Sequence, residues 1–178
     1  MKSSRVAKRY ARALMGLSSE HAQLETWGAE LERLARIIDS PEVGGQLESP
    51  EVTHAARMEA LGKIAERLDL SFPLRSFAVV VARHGRVQDI SAMAESYARM
   101  LDDLMGRARA TLTFAHQPTD GDLARVVAGL EAIARKKIIP TTKVDASLMG
   151  GVVAELEGKI YDGSLATRLA DAERRLSG

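Results

Sequence analysis

The sequence predicts an α+β protein in which an N-terminal six-helix bundle precedes a small mixed β/α domain. From Ser4 to about Leu104 the apolar residues recur at gaps of three and four, which is the period of amphipathic helices. After Gly106 they alternate with polar residues, which is the period of a half-buried strand. The 178 residues, 46% of them hydrophobic, suffice for one substantial core or two small ones. We therefore divide the chain into residues 1–105 and 106–178.

The first two predicted helices each carry one apolar stripe. The stripe of the first helix is Val6, Tyr10, Leu14 and Leu17, and that of the second is Leu24, Trp27, Leu31, Leu34 and Ile38. The second helix is expected to end where Asp39-Ser40-Pro41 arrives, because proline does not continue a helix. Core packing is the expected role of Trp27, and a position in an interface is the alternative.

Four more helices are predicted before Gly106. A short one covers 42–47, and Ser49-Pro50-Glu51 starts the next, because a capping serine followed by proline is a helix start signal. That fourth helix runs to Leu68, and its inner face is Leu61, Ile64, Ala65 and Leu68. Ser71-Phe72-Pro73 opens the fifth helix, which closes at His84-Gly85 with glycine as a C-terminal cap. The fifth contains Phe77, Val80 and Val81, and the sixth contains Val87, Ile90, Ala94, Tyr97, Leu101 and Leu104.

The second domain is predicted to run strand, helix, strand, hairpin, helix. Its first strand carries Ala108, Ala110, Leu112 and Phe114, and its first helix carries Leu123, Val126, Val127, Leu130 and Ile133. Thr119 and Asp122 resemble a capping box at the start of that helix, and Arg135-Lys136-Lys137 are expected in its last turn, where the helix dipole favours cations. A short strand follows Pro140 through Val144. The last predicted helix presents Leu165, Leu169, Ala172 and Leu176 on one side.

The most specific segment of the chain is a predicted hairpin. Gly150-Gly151 frees the backbone before a strand in which Val152, Ala154 and Leu156 alternate with Val153, Glu155 and Glu157. Glu157-Gly158 has turn chemistry, and Lys159-Ile160-Tyr161 returns as the second strand. Asp162-Gly163-Ser164 then starts the last helix, with Ser164 as its N-cap.

Composition excludes several classes of function. Lysine and arginine number 25 against 24 acidic residues, so the formal charge of +1 gives no strong overall field toward nucleic acid or an anionic membrane. The absence of cysteine excludes disulfides, thiolate metal sites and cysteine nucleophiles. No apolar run reaches the roughly 20 residues of a spanning helix, so we expect a soluble or peripheral protein. The basic start of the chain is similar to a transit peptide, but its apolar stripe already favours a structured first helix.

No group of residues predicts catalysis, a cofactor or a metal site. His21, His54, His84 and His116 fall in different elements without metal-ligand spacing, and we expect them at the surface or at helix ends. Asp102-Asp103 are adjacent, and consecutive helical positions point in different directions. Gly158-Lys159 lacks the upstream glycine of a phosphate loop and is interpreted as a turn.

Separated segments of the chain resemble the delta-subunit family of F-type ATP synthases, which includes the mitochondrial oligomycin-sensitivity-conferring protein. The N-terminal matches are residues 6–14, Glu25-Thr26-Trp27 and Gly85-Arg86, and the C-terminal ones are Val144-Asp145, Gly150-Gly151, Asp162-Gly163-Ser164 and Arg168-Leu169. Ala166 and Thr167 depart from the arginine and glycine that many members have there, which puts a charge contact at that spot in doubt.

The resemblance implies a stator subunit without a catalytic site or cofactor. Its six-helix domain would bind the N-terminal helix of an alpha subunit between helices one and five. Its C-terminal domain would bind the C-terminal ends of the b subunits through a strand edge and the last helix. The implied alpha-subunit contacts are Tyr10, Ala13 and Val80, with Phe77 and Trp27 nearby. The complex would lie at the cytoplasmic face of a bacterial cell membrane, so that the chain meets the membrane only indirectly.

Two other functions remain open from the residues alone. A nucleic-acid-binding module is suggested by Arg107, Arg109 and the run Arg135-Lys136-Lys137, although the chain lacks the aromatic residues of such a sheet. A small enzyme is the weaker alternative, because the sequence contains no arrangement of nucleophile and base.

Overall fold

A computed structural model describes residues 2–49, 51–148 and 150–163 of the chain, without the side chains of residues 2–4 and Glu48. The chain forms two compact units, Met1–Leu101 and Asp102–Gly178. The described residues form seven α-helices and a four-stranded mixed sheet, so the predicted α+β class is confirmed.

Six α-helices and a single 3-10 turn precede the first described strand. They are α1 (Lys2–Met15), α2 (His21–Ile38), α3 (Pro41–Glu48), α4 (His54–Arg67), α5 (Phe72–Arg83), the 3-10 turn Val87–Asp89 and α6 (Ile90–Leu104). All five residues of the predicted α2 stripe are buried, including Trp27, of which 7% is exposed. The core-packing role expected of Trp27 is therefore confirmed.

Buried polar side chains connect the helices of the first unit. The Glu30 carboxylate of α2 accepts hydrogen bonds from the backbone N–H and the hydroxyl of Ser71, at 2.9 and 2.7 Å. Ser71 is the N-cap of α5, so Glu30 places a negative charge at the positive end of that helix. The Tyr97 hydroxyl of α6 donates to the Leu24 carbonyl of α2 at 2.9 Å. Burial raises the pKa of Tyr97 to about 12.

Two predicted features of the first unit are wrong. Leu17 does not extend the α1 stripe, because the helix ends at Met15 and a turn leaves Leu17 66% exposed. The fourth helix begins at His54 and not at Ser49-Pro50-Glu51. Thr53 caps it by accepting from the Ala56 N–H at 3.2 Å, whereas the Ser49 hydroxyl accepts from Glu51 in a local turn. Two capping residues lay close together, and the one next to the apolar period is used.

The second unit contains one helix and four strands among its described residues. They are β1 (Arg107–Phe114), α7 (Asp120–Ala134), β2 (Lys137–Val144), β3 (Val152–Leu156) and β4 (Lys159–Asp162). The strand order is β2-β1-β3-β4, with β1 and β2 parallel across α7 and the other neighbours antiparallel. The predicted inner face of β1 is buried and packs with Leu130, Ile138, Ala154 and Leu156. Ile133, which was placed on the apolar face of α7, is 60% exposed.

The three cations after α7 do not lie in its last turn, which corrects the sequence prediction. The helix ends at Ala134, and Arg135 adopts a left-handed conformation with φ of 55°. Lys136 instead binds the Glu157 carboxylate, which raises the pKa of Lys136, and Lys137 begins β2. This strand therefore starts before Pro140. A proline is accommodated there because β2 is an edge strand that pairs only with β1.

The predicted hairpin is confirmed in its described part. Leu156 pairs with Lys159, and the two residues between them, Glu157 and Gly158, both have positive φ, 51° and 78°. Two successive positive φ values are typical of the tight turns that match the twist of antiparallel strands. The predicted last helix, with Ser164 and the Arg168-Leu169 pair, lies outside the described residues.

Candidate functional site

Residues of α1 and α5 form the surface to which the sequence assigned a binding role. We define the α1–α5 surface by Tyr10, Ala13, Phe77 and Val80. The Tyr10 ring meets the Phe77 ring edge-on, with centroids 6.2 Å apart and an interplanar angle of 84°. It also lies 6.4 Å from the ring of His84 at the end of α5. The Tyr10 ring of α1 therefore packs against the rings of both Phe77 and His84.

The five predicted contact residues differ in exposure. Phe77 and Trp27 are buried, at 9% and 7% exposed, and Tyr10 is half-buried. Ala13 is exposed, and Val80 is 44% exposed. Tyr10, Ala13 and Val80 can therefore offer surface to another molecule, while Phe77 supports Tyr10 from below and Trp27 belongs to the core.

The end of α5 is fixed by two histidines whose role the sequence did not indicate. The Nδ1–H of His84 donates to the Val80 carbonyl at 2.8 Å, since a carbonyl can only accept. His54 Nε2 lies 3.1 Å from the Arg83 carbonyl. Gly85 follows with φ of 65°, the conformation of a helix C-terminal cap. The Val80 carbonyl also accepts from the His84 backbone N–H at 3.2 Å, so the ring adds a second hydrogen bond there, whereas the contact of His54 occupies the Arg83 carbonyl in the last turn of the helix.

Apolar side chains on α5 extend beyond the predicted contacts. Val79 is 37% exposed and Phe72 is 82% exposed. The Arg9 guanidinium lies over the Tyr10 ring at 5.7 Å from its centroid. The surface therefore combines exposed apolar area with a cation at its border. Sequence reasoning included neither Val79 nor Arg9.

The second unit presents two sheet edges and isolated exposed apolar residues. Ile160 on the β4 edge is 72% exposed, and Val144 at the end of the β2 edge is 52% exposed. A hollow at the end of β1 is lined by Phe114, His116 and Asp122. A hydrogen bond from the Thr119 hydroxyl lowers the pKa of the Asp122 carboxyl. The cap of α7 is Thr119, whose hydroxyl oxygen accepts from the Asp122 N–H at 3.2 Å.

The described part of the chain contains no arrangement for metal binding. Within it, no three histidine or acidic side chains are grouped closely enough to hold an ion. The four histidines are exposed, as expected. Gly158 lies in the hairpin turn and Lys159 begins β4, so the interpretation of this pair as a turn is confirmed. None of the described helices is both long and apolar enough to cross a bilayer.

Comparisons with known proteins decide the family. Residues 6–176 match the family described as ATP synthase delta (OSCP) subunit. The chain belongs to this family. "ATP synthase subunit delta" of Geobacter metallireducens is 32% identical over 95% of this chain and 94% of its own length. The protein of the same name from Syntrophobacter fumaroxidans is 31% identical over 99% of this chain and 97% of its own length.

One solved structure shares the fold of this delta (OSCP) subunit. It is a chain of the Toxoplasma gondii mitochondrial ATP synthase hexamer, with a TM-score of 0.67 over 97% of both chains and 18% identity. At this identity the likeness shows the fold, and the family-model match and the two relatives confirm the predicted family. Delta (OSCP) subunits are non-catalytic parts of the F-type ATP synthase, which agrees with the expectation that the chain has no active site of its own.

Proposed function

We propose that the chain is a stator subunit of an F-type ATP synthase and that it connects the catalytic head to the peripheral stalk. Rotation of the rotor drives synthesis only if the head is prevented from turning with it. The observation that supports this role is that residues 6–176 match the family and that the curated relatives match over nearly their whole length.

In this proposal the first unit is a six-helix bundle that holds the head. Its partner is the N-terminal helix of an alpha subunit, which lies along the α1–α5 surface. The exposed Val80 and Ala13 and the half-buried Tyr10 support this assignment, because an amphipathic helix binds through a row of apolar anchors. Exposed apolar side chains on neighbouring helices also favour slow dissociation.

The second unit is assigned to the C-terminal ends of the b subunits. On β4, the edge strand of the described sheet, the Ile160 side chain is 72% exposed on the face away from the core, and it is the described apolar residue that suits contact with another polypeptide. Residues 164–178 would provide the rest of the contact. The complex would place the chain at the cytoplasmic face of a bacterial cell membrane, as a peripheral component.

A titration of the full chain with a synthetic peptide of the alpha-subunit N-terminal segment tests the head contact. Val80→Asp puts a charge on the apolar surface, and we expect the dissociation constant to rise at least about tenfold. Ile133→Asp is the matched control, because Ile133 is an exposed helical residue of the other unit. Unchanged affinity of Val80→Asp, with native far-UV circular dichroism, would remove the α1–α5 surface from the proposal.

A second experiment addresses the stalk contact. Ile160→Asp should weaken capture of the soluble b-subunit domain by the full chain and leave binding of the alpha-subunit peptide intact. Ile133→Asp again serves as the control. Loss of both interactions in Ile160→Asp would indicate a folding defect, and retention of both would exclude the β4 edge as the contact.

The alternative of a nucleic-acid-binding module gains no support from the described sheet. Phe114 points into the core, and Tyr161 packs partly buried against that same core. Stacking platforms for bases require exposed aromatic rings, and these two rings are turned inward.

A further inference from the structure

Charge is distributed unevenly between the helices of the first unit. The sequences of α1 and α5 contain lysine and arginine but no aspartate or glutamate, although the whole chain has a formal charge of only +1. The other helices of this unit all contain acidic residues. Although the net charge of the chain is near zero, the two helices that form the α1–α5 surface are therefore positively charged.

Four of the α1 cations have no acidic partner among the described residues. Arg5, Lys8, Arg9 and Arg12 are exposed, and none of them makes an ion pair with a described residue. Some cations on other helices of the unit do have acidic partners, as Lys63 has Glu59 at 2.7 Å. Their positive charge therefore remains available for a partner molecule.

One exposed cation on each helix, Arg9 on α1 and Arg83 on α5, lies near the apolar contact residues of that helix. Arg9 lies over the Tyr10 ring and precedes Ala13 by four residues, so it flanks the α1 side. Arg83 follows Val79 by four residues and Val80 by three, so it flanks the α5 side. Exposed apolar side chains with a nearby cation on each of the two helices match an apolar helix face that carries carboxylates.

We infer that the α1–α5 surface selects an acidic amphipathic helix, in which carboxylates on both borders of the apolar stripe pair with Arg9 and Arg83. This inference rests on the proposed docking of a partner helix and specifies its chemistry. The acids of the partner recur every three or four residues, because only that spacing keeps them along the borders of one helical stripe.

A lipid surface is a poorer match for the same cations. A basic amphipathic helix binds a membrane by inserting its own apolar face. The apolar face of α1 is occupied, since Ala7 and Ala11 have no exposed surface and Leu14 is 1% exposed. The exposed cations of α1 therefore lie next to the α1–α5 surface and not next to a free apolar face of α1. A peptide helix can contact the cations and this surface at the same time.

Rim charges act mainly on the rate of association. Complementary charge steers the encounter, whereas apolar contact determines how slowly the complex dissociates. The structure thus assigns attraction of the partner to Arg9 and Arg83 and retention of the partner to Tyr10, Ala13 and Val80.

The test measures binding kinetics of the full chain with the alpha-subunit N-terminal peptide at increasing sodium chloride concentrations. We expect the association rate to fall as salt rises, because exposed charges are screened beyond about 10 Å at 0.1 M salt. Arg9→Gln and Arg83→Gln should each reduce the association rate roughly two- to fivefold at low salt, and together about tenfold. The double variant should lose most of the salt dependence, with a nearly unchanged dissociation rate.

Arg33→Gln combined with Arg36→Gln is the matched control, because both are exposed cations on α2 and the change in net charge is the same. Equal loss in this control would show that only net charge matters, and it would overturn the inference. So would a wild-type association rate that does not depend on salt.

The design separates this inference from the proposed function. Absence of peptide binding by the wild type at the lowest salt would reject the docking proposal itself. Binding that is weakened by Val80→Asp but unaffected by the arginine variants would keep the docking proposal and reject the acidic partner. Binding of a DNA duplex that is lost in the arginine variants, while peptide binding persists, would assign the cations to nucleic acid.

Discussion

The two units hold their elements together with different polar contacts. In the first unit, single buried side chains bond to groups of another helix, as Tyr97 does to the Leu24 carbonyl and Glu30 to Ser71. In the second unit, backbone ladders join the strands, and ion pairs are added around them. The buried Asp102 carboxylate accepts from Arg109 at 2.6 Å and lies 3.6 Å from Arg107.

This difference follows from backbone hydrogen bonding. A helix satisfies its own backbone groups, so the backbone does not specify how two helices align, and a few buried side chains must do so. A sheet is aligned by its ladder, and its side-chain charges contribute only additional stability. Removal of one polar group should therefore be more costly in the first unit than in the second.

The largest effect is expected for Glu30→Ala. This change removes both hydrogen bonds to Ser71 and the charge at the N-terminus of α5. Hydrogen bonds to charged groups contribute about 1.5–3 kcal/mol to the stability of a folded protein. We expect the free energy of unfolding in urea to fall by about 2–3 kcal/mol. Glu32→Ala on the exposed side of the same helix should change it by less than about 0.5 kcal/mol. Equal effects would mean that α5 is held by apolar packing alone.

Tyr97 contributes stability to the first unit that is lost at alkaline pH. The pKa of Tyr97 rises from 10.0 to about 12 on folding, so its contribution is complete below pH 10 and is lost between pH 10 and about 12. The loss amounts to about 2 kcal/mol. The difference in unfolding free energy between wild type and Tyr97→Phe, measured across this window, should shrink or change sign as pH rises. A constant difference would contradict the burial of an ionisable hydroxyl.

Asp102→Asn is the corresponding change in the second unit. The side chain of Asp102 is 8% exposed and interacts with two arginines, but Arg109 is 59% exposed and water can replace part of the contact. We expect a loss of about 1–2 kcal/mol in urea unfolding, smaller at high salt. Asp103→Asn, whose side chain is 75% exposed, is the control and should have almost no effect. A larger loss of unfolding free energy for Asp102→Asn than for Glu30→Ala would mean that single polar groups matter more in the second unit than in the first.

Elements were predictable from the sequence because apolar periodicity records which face of each element is buried. The α2 stripe is buried in full, and the alternation in β1 gives its inner face. Element ends were less predictable, since Ser49 and Thr53 are both capping residues and the sequence offers a helix start at each. The partners of Glu30 and Lys136 were not predictable, because they lie 41 and 21 residues away in sequence.

The residues of the candidate site came from the family resemblance and not from the periodicity. The resemblance named Tyr10, Phe77 and Val80, yet periodicity does not show which residues of a partly apolar helix stay exposed. The charge on the site did have a signal in the sequence. Five cations precede the first acidic residue, Glu20, but their number alone does not show that they lie near an apolar surface.

The smallest prediction compares two glycines of the second unit. Gly158 has φ of 78° in the hairpin turn, a conformation that costs about 1 kcal/mol for alanine, so Gly158→Ala should destabilise the chain by that amount. Gly129 lies within α7, and a Cβ there would meet no atom within 4 Å. Gly129→Ala should therefore stabilise the chain by up to about 1 kcal/mol through helix propensity. Opposite signs in urea unfolding would show that the hairpin depends on the backbone freedom of its turn, independently of the ion pairs around the sheet. Destabilisation by both variants would instead mean that a methyl group at Gly129 disturbs the packing of α7, and helix propensity would not decide the effect there.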